Sequence, residues 1–328
     1  MEPRERIEAE ERARFSPRAR FSDASKGRER DEAPDPLRTD YQRDRDRIVH
    51  SKAFRRLAHK TQVFLAPEGD HYRVRLTHTL EVTQIARTIA RALALNEDLV
   101  EAICLGHDLG HTPFGHLGEE VVAEFHPGFR HNLQSVRIVE VLEDLNLTWE
   151  VRDGIANHTW SMPMPDTLEG QIARYADRIA YINHDIDDSI RAGVLAESDL
   201  PATTREVLGA SHAKRIQTMV SDIVSRSTGA DAIQMSPDIA DAMAGTRKFL
   251  FDEVYLGLIA AATRDGVKRI VLSLLEHLAD EPPPGDQDAL GDPRQKAVDY
   301  VAGMTDRFAI RTFEELLGTP SPGLTALG

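Results

Sequence analysis

The sequence predicts an all-α protein with one large helical domain and minor strand content at most. Apolar residues recur at steps of three to five positions, as in Leu80, Ile85, Ile89 and Leu93, and this spacing places them on one helical face. No convincing run of alternating apolar and polar residues competes with this pattern. The chain has 328 residues and a hydrophobic fraction of 41%, which is enough to bury a sizeable core.

Capping and breaking residues place the helices along the chain. Thr77 or Thr79 is suited to cap the first helix of this kind. Asn96 is suited to cap the next helix, which we expect to end at residues 107–108 because Gly110 follows. Further helices are predicted over Gln134 to Leu145, Ile172 to Arg191, Ser211 to Ser225, Ala240 to Tyr255, Val267 to Leu278 and Ala297 to Ala309.

The two ends of the chain differ in composition from the middle. Residues 1–36 are charged, poor in apolar side chains and interrupted by proline. We predict that they form an arm that is either disordered alone or in contact with a neighbouring subunit. Residues 37–318 form the predicted domain, and residues 319–328 form a loose tail.

Composition argues against several classes of protein. The net charge of -14 does not indicate a nucleic-acid-binding surface, because phosphate neutralisation needs a basic face. No apolar run approaches the roughly 20 residues that span a bilayer, and no apolar segment follows the charged N-terminus. The single cysteine, Cys104, cannot form an intrachain disulfide and fits a reduced core position. We therefore expect a cytoplasmic protein without a membrane partner.

Arginines are concentrated early in the chain, so a small polyanion such as a nucleoside triphosphate could be held against the acidic background. They are Arg43, Arg45, Arg47, Arg55, Arg56, Arg73 and Arg75. For the first three, the mixed-sign run favours a solvated charged surface.

Residues 107–119 are the chemical centre of the sequence and read His-Asp-Leu-Gly-His-Thr-Pro-Phe-Gly-His-Leu-Gly-Glu. The adjacent His107 and Asp108 offer a neutral nitrogen and an anionic oxygen, a donor set suited to a divalent metal. A structural zinc site or loop-capping histidines are the alternative. Structural zinc favours thiolates, and no cysteine lies at ligand spacing, so the alternative is disfavoured.

The predicted helix over residues 172–191 has two distinct faces. Its isoleucines share one face, whereas Asp177, Tyr181 and Asp185 lie on the other at steps of four residues. These three side chains are suited to line a polar cleft, with Asp177 as a metal ligand and the other two on a sugar or phosphate. Asp187 and Asp188 are expected to face solvent.

With His78 near a helix start, the chain reads H…HD…D, the signature of the HD superfamily of metal-dependent phosphohydrolases, which it resembles. Within that superfamily, several motifs resemble the deoxyguanosinetriphosphate triphosphohydrolase-like family. They are Phe-Arg-Arg-Leu at 54–57, Lys-Thr-Gln-Val-Phe at 60–64, residues 73–82, the whole 107–119 block, His131-Asn132, residues 175–181, Asp299-Tyr300 and residues 304–307. The match runs from about Asp44 to Arg307.

The resemblance implies a helical HD-domain fold and a metal-dependent reaction. A deoxynucleoside triphosphate such as dGTP would be hydrolysed to a deoxynucleoside and inorganic triphosphate by water attack at the α-phosphorus. The cofactor would be a divalent metal ion, Mn²⁺, Mg²⁺, Fe²⁺ or Co²⁺, and the protein would be a homo-oligomer. The implied metal ligands are His78, His107, Asp108 and Asp177. The implied catalytic residues are His116, Glu119 and His111. The implied substrate-binding residues are Gln62, Arg75, His131, Arg178, Tyr181 and Asp185.

Two other functions remain open on sequence. One is another HD-type reaction, by a nucleotidase or a phosphodiesterase. The other is a protein that senses nucleotides or binds single-stranded nucleic acid without turnover. P-loop chemistry is disfavoured, because the sequence has no GxxxxGK[ST] run.

Overall fold

Helices supply the regular secondary structure of the computed structural model, which describes residues 1–62, 73–255, 261–282, 292–318 and 320–321. The α-helices are α1 (Pro3–Arg14), α2 (Asp40–His50), α3 (Lys52–Arg56), α4 (Arg75–Ala92), α5 (Glu97–Gly106), α6 (Gly115–Phe125), α7 (His131–Arg137), α8 (Trp149–Asn157), α9 (Leu168–Arg191), α10 (His212–Ser227), α11 (Pro237–Leu250), α12 (Ala261–Asp280), α13 (Pro293–Ala302) and α14 (Asp306–Leu317). Short 3₁₀ turns cover Ser22–Ala24, Leu57–His59 and Glu197–Asp199, and π-helical turns cover Ile138–Leu142, Thr204–Leu208 and Phe251–Tyr255. Within the described ranges, β-pairing is limited to two isolated bridges, Arg28–Thr148 and Thr61–Val74. The predicted all-α fold class is confirmed.

The predicted cap of α5 is confirmed, whereas the predicted start of α4 is wrong. The Asn96 side chain accepts hydrogen bonds from the backbone N–H groups of Asp98 and Leu99, at 3.1 and 3.2 Å. Helix α4 begins earlier than either proposed cap, at Arg75. The Thr77 hydroxyl instead bonds to the backbone of Val74, within the first turn.

The last predicted helix, Ala297 to Ala309, is two helices in the structure. Helix α13 ends at Ala302, and α14 begins at Asp306. The Thr305 side chain caps α14 by accepting a hydrogen bond from the Phe308 N–H at 3.3 Å. Apolar spacing alone did not reveal this break, because both helices bury residues in the same core. Of the predicted tail, residue 319 and residues 322–328 lie outside the described residues.

Contacts divide the chain into two compact units. Unit 1 comprises Met1–Val49, His78–His107 and Leu145–Leu258, and unit 2 comprises His50–Thr77, Asp108–Asp144 and Ile259–Gly328. The division into a 1–36 arm, a 37–318 domain and a 319–328 tail stays a prediction.

Helix α9 is the centre of unit 1, where it contacts α5, α8, α10 and α11. The apolar face predicted for it is confirmed, because Ile172, Ile179 and Ile182 are fully buried. Helices α5 and α8 also approach each other closely: a Cβ at Gly154 would lie only 2.6 Å from the Ile103 side chain. Cys104 is buried on α5, as the sequence predicts.

The first 36 residues contain helix α1 and make polar contacts within unit 1. The buried Glu11 carboxylate accepts hydrogen bonds from the backbone and hydroxyl of Ser22, at 2.8 and 2.7 Å. Glu32 pairs with Arg43 and Arg47, at 2.6 and 2.5 Å. These two arginines are therefore ion-paired, and differ from the freely solvated surface that the sequence favoured.

Unit 2 has its own hydrophobic core, in which α12 packs against α6, α13 and α14. Leu274 and Leu275 of α12, Val298 of α13 and Phe313 of α14 are all buried in this core. None of the helices in the described ranges combines the length and the apolar character needed to cross a membrane.

Replacing Phe313 by alanine tests the core of unit 2. We expect Phe313→Ala to lower the free energy of unfolding by about 3–5 kcal/mol, because it leaves a cavity where a fully buried ring was. Leu316→Ala is the matched control on the same helix, since Leu316 is 41% exposed and its loss should cost less than about 0.5 kcal/mol. Urea unfolding of both variants measures the difference, and equal costs would contradict the assigned packing of α14.

Candidate active site

Three of the predicted metal ligands converge within unit 1. His78 lies on α4, His107 follows the last residue of α5, and Asp177 lies in the middle of α9. Asp177 Oδ1 is 3.2 Å from His78 Nε2 and 3.8 Å from His107 Nε2. The two imidazole rings are tilted at 59° with centroids 5.6 Å apart, so both present a nitrogen to the same carboxylate oxygen.

In His107 and His158, the ring nitrogen Nδ1 lies against a backbone carbonyl oxygen. The Nδ1 atom of His107 is 2.6 Å from the Cys104 carbonyl oxygen, and that of His158 is 2.8 Å from the Ile155 carbonyl oxygen. A carbonyl only accepts, so each Nδ1 carries the proton and the lone pair lies on Nε2. The ring of His158 also lies edge-on to His107, with centroids 5.0 Å apart. Sequence reasoning missed His158, which belongs to none of the motifs above.

Electrostatics keep Asp177 ionised. Burial alone would raise the pKa of this carboxyl group. The hydrogen bond from His78 and the charges of His107, His78 and His158 outweigh burial, so the pKa of Asp177 lies well below its usual range. Two imidazole nitrogens and an anionic oxygen in one place are a donor set that fits a divalent metal ion.

Asp108 follows His107 directly in the chain and is counted in unit 2, where it forms a buried ion pair with Arg75. Arg75 Nη1 donates to Asp108 Oδ2 at 2.7 Å, and both side chains are at most 4% exposed. Gln62 lies near the same arginine: a Cβ at Gly115 would be 3.4 Å from the Gln62 carbonyl oxygen and 3.8 Å from Arg75 Nη2. Unit 2 therefore brings these three predicted residues together.

The Glu119 carboxylate lies close to three predicted histidines of unit 2. Its Oε1 is 2.8 Å from His131 Nδ1, and it also accepts a hydrogen bond from the His131 backbone N–H at 2.9 Å. Its Oε2 is 3.7 Å from His116 Nδ1 and 3.7 Å from His111 Nε2. The ring of His111 stacks on that of His131, with centroids 4.8 Å apart. The distance between His116 and Glu119, the pair expected from the sequence, is therefore longer than the distance between His131 and the same carboxylate.

The three histidines around Glu119 differ in environment. Burial, together with the positive charges of Arg75 and His131, holds the pKa of His111 well below its usual value, so this ring is neutral at pH 7. Burial also acts to lower the pKa of His131, but the charge and hydrogen bond of Glu119 raise it above the usual value. The pKa of Glu119 is held well below its usual range, against its burial, by His131 and His116. His116 is the most accessible of the group, with a side chain 48% exposed.

The buried side chains of Lys60 and Asp306 fix the loop that carries these groups. Lys60 Nζ donates to the carbonyl oxygens of His111 and Ala302, at 2.5 and 2.7 Å. Asp306 accepts from the Phe114 N–H at 2.9 Å, and from the backbone and hydroxyl of Thr61 at 2.9 and 2.5 Å. Sequence reasoning placed Lys60 and Asp306 in motifs without giving them a role.

Backbone constraints add to this anchoring. Phe114 has a φ of +63°, which an L-residue with a side chain adopts only when its surroundings require it. Gly110 lies against the start of α7, where a Cβ would be 2.5 Å from the Gln134 carbonyl carbon and 2.6 Å from the His131 carbonyl oxygen. Only glycine permits so close an approach.

The polar cleft expected along α9 stays a prediction. Tyr181 and Asp185 are on this helix with Arg178, and burial and the Asp185 charge hold the pKa of Tyr181 well above its usual value. Burial and the nearby Arg247 lower the pKa of Arg178 to about 10, so it is still charged at neutral pH. The expectation of a solvent-facing Asp188 is wrong, because its residue is only 2% exposed. The helix is surrounded on more sides than a two-faced pattern suggests.

The predicted site residues thus fall into two groups, one in each unit. Those in unit 1 are His78, His107, Asp177, Arg178, Tyr181 and Asp185. Those in unit 2 are Gln62, Arg75, Asp108, His111, His116, Glu119 and His131.

Comparison with protein families finds two matches along the chain. A model of the HD domain matches residues 75–182, and a model of the phosphohydrolase-associated domain matches residues 233–315. The first match contains all four predicted metal ligands.

Relatives of nearly the same length are called deoxyguanosinetriphosphate triphosphohydrolase-like proteins. One from Caldanaerobacter subterraneus subsp. tengcongensis is 54% identical over 98% of this chain and 97% of its own length. One from Clostridium perfringens is 48% identical over 96% of this chain and 98% of its own length. One from Bordetella parapertussis is 39% identical over 90% of this chain and 94% of its own length.

Two solved structures share the fold at low sequence identity. A hypothetical protein from Aquifex aeolicus has a TM-score of 0.50 and 20% identity, and a phosphohydrolase from Bacteroides thetaiotaomicron has a TM-score of 0.51 and 19% identity. Each likeness covers 82% of this chain and 67% of the other. At this identity the likeness concerns the fold alone.

Removing the charge of Glu119 should lower the pKa of His131. In Glu119→Gln, burial is no longer opposed by the carboxylate, so we expect the pKa of His131 to fall below its ordinary value of about 6.5. Titration of the His131 ring protons by NMR measures this shift. The exposed neighbour gives a matched control, Glu120→Gln, which should leave the titration of His131 unchanged.

The same pair makes a pH-dependent contribution to stability. Because the pKa of His131 is raised on folding, its contribution is fully present below about pH 6.5 and is lost as the pH rises through the raised value. A His131 pKa that did not move in Glu119→Gln would contradict this assignment.

Proposed function

Because the chain belongs to the deoxyguanosinetriphosphate triphosphohydrolase-like family of HD-domain proteins, we propose that it hydrolyses deoxynucleoside triphosphates in a metal-dependent reaction. Water attacks the α-phosphorus, and the products are a deoxynucleoside and intact inorganic triphosphate. The observation that carries the proposal is the convergence of His78 and His107 on the ionised Asp177.

The metal is assigned to these three residues and to Asp108, the direct neighbour of His107 in the chain. The donor set of two imidazoles and two carboxylates suits Mn²⁺, Mg²⁺, Fe²⁺ or Co²⁺. When bound, a divalent ion supplies positive charge to the α-phosphate and makes a water molecule more acidic. The lone pair of His107 is on Nε2, which suits this histidine to bind a metal.

Proton transfer is assigned to the group around Glu119. The leaving 5′-oxygen of the sugar needs a proton, and His116 is the accessible imidazole that can provide it. Glu119 stays ionised and orients His116, while the neutral ring of His111 offers a hydrogen bond to the phosphate. His131, bonded to the same carboxylate, fixes Glu119 and contacts the substrate.

Substrate binding is assigned to the remaining predicted residues, some from each unit. Arg75 and Arg178 contact the triphosphate, where positive charge stabilises the transition state without proton transfer. Tyr181 keeps its hydroxyl proton at neutral pH and can donate a hydrogen bond to the sugar. Asp185 accepts from a sugar hydroxyl, and Gln62 contacts the 3′-hydroxyl.

A product analysis tests the reaction. The purified protein is incubated with each of the four dNTPs and NTPs in the presence of Mn²⁺, Mg²⁺, Fe²⁺ or Co²⁺. We expect equal amounts of deoxynucleoside and inorganic triphosphate from at least one dNTP, and none without metal. Release of orthophosphate or pyrophosphate would contradict attack at the α-phosphorus and would favour another HD-type nucleotidase.

Substitution of Asp177 tests the metal site. We expect Asp177→Asn to weaken Mn²⁺ binding and to lower turnover by about 100-fold or more, because an amide cannot provide the anionic ligand. Asp187→Asn is the matched control on the same helix, since Asp187 pairs with Arg191 at 3.0 Å. Calorimetric Mn²⁺ titration and turnover are measured on both variants, and similar losses in the two would exclude Asp177 as a ligand.

A further inference from the structure

The outer nitrogen of His78 has an unusual partner. A metal-binding histidine normally donates its second ring N–H to a carboxylate, a backbone carbonyl or water. In unit 1, His78 Nδ1 lies instead 3.2 Å from His184 Nδ1, and the two rings are perpendicular with centroids 5.3 Å apart. Both histidines are only 1% exposed.

An imidazole partner does not by itself determine which nitrogen of His78 carries the proton. The Cys104 carbonyl can only accept, so it fixes the proton of His107 on Nδ1. His184 can either donate or accept through Nδ1. If His184 donated, the proton of a neutral His78 would sit on Nε2, the atom that faces Asp177 at 3.2 Å, and this nitrogen could not bind a metal.

Glu81 removes this ambiguity. It lies on α4 within one turn of His78, and its Oε2 contacts the Nε2 atom of His184. A carboxylate only accepts, so His184 Nε2 carries the proton and His184 Nδ1 carries the lone pair. His184 Nδ1 can then accept a hydrogen bond from His78 Nδ1, the atom that carries the proton of a neutral His78 when its Nε2 atom binds a metal ion.

We propose that Glu81 and His184 are positioning residues that fix His78 in the tautomer able to bind metal through Nε2. The inference rests on the metal assignment made above and extends it to two residues outside the HD motif. Helix α4 thus carries both the ligand and the carboxylate that orients it, and α9 carries the connecting histidine.

Metal affinity tests the inference without reference to turnover. Glu81→Gln keeps the size of the side chain but allows the amide to donate as well as accept. The Glu81 side chain is 41% exposed, so the substitution should not disturb the core. We expect the dissociation constant for Mn²⁺, measured on the full chain, to rise about 10- to 100-fold, with turnover recovered at high Mn²⁺.

The matched control removes one negative charge elsewhere in unit 1. Glu101 of α5 pairs with Arg87 and Arg45, at 3.4 and 3.8 Å, and does not contact a metal-site histidine in any pair described here. Glu101→Gln should leave Mn²⁺ affinity nearly unchanged. An equal loss of Mn²⁺ affinity in the two variants would show that the effect comes from overall charge and would overturn the proposal. An unchanged affinity in Glu81→Gln would overturn it as well.

Nitrogen NMR of ¹⁵N-histidine-labelled protein without metal gives a second, independent measurement. We expect a proton on His78 Nδ1 and none on His184 Nδ1 in the wild type, and a mixture of the two arrangements in Glu81→Gln. A wild-type spectrum with the proton on His184 Nδ1 would overturn the proposal. Absence of Mn²⁺ binding by the wild type would instead contradict the metal assignment, while the spectra still decide the tautomers.

Discussion

The anchoring of the 107–115 loop by the buried side chains of Lys60 and Asp306 is the constraint on which the predicted catalytic groups of unit 2 depend. This loop has glycine and proline in place of helix-forming residues, so its backbone groups need partners from elsewhere. Lys60 provides a donor to the His111 carbonyl, and Asp306 provides an acceptor to the Phe114 N–H. Both side chains are nearly inaccessible, and removal of either one would leave backbone polar groups without a partner in the interior.

Helix positions and the core were largely predictable from the sequence. The apolar periodicity of α9 gave its buried isoleucines, and Asn96 gave the start of α5, because both signals are local. The two wrong predictions, the single helix over residues 297–309 and the solvent-facing Asp188, have other causes. The break between α13 and α14 depends on a Thr305 cap within a continuous apolar pattern, and the burial of Asp188 depends on helices that pack around α9 from distant parts of the chain.

The candidate site was predictable where a motif marks it and unpredictable where tertiary contacts complete it. Residues 107–119 and Asp177 were identified from the sequence, and the structure brings Asp177 Oδ1 within 4 Å of both His78 Nε2 and His107 Nε2. By contrast, nothing near Asp306 in the sequence indicates that it bonds to Phe114, which lies 192 positions away. His158, His184 and Glu81 were likewise missed, because their roles arise from ring orientation and hydrogen-bond direction.

The position of His107 immediately after the last residue of α5 has an electrostatic consequence for any bound cation. The final turn of a helix carries partial negative charge, because its carbonyl dipoles point outward along the axis. One of these carbonyls, that of Cys104, also accepts a hydrogen bond from His107 Nδ1. The backbone of α5 would therefore attract a cation at His107 without adding an ionisable group, and this contribution would persist at a pH low enough to protonate the carboxylates.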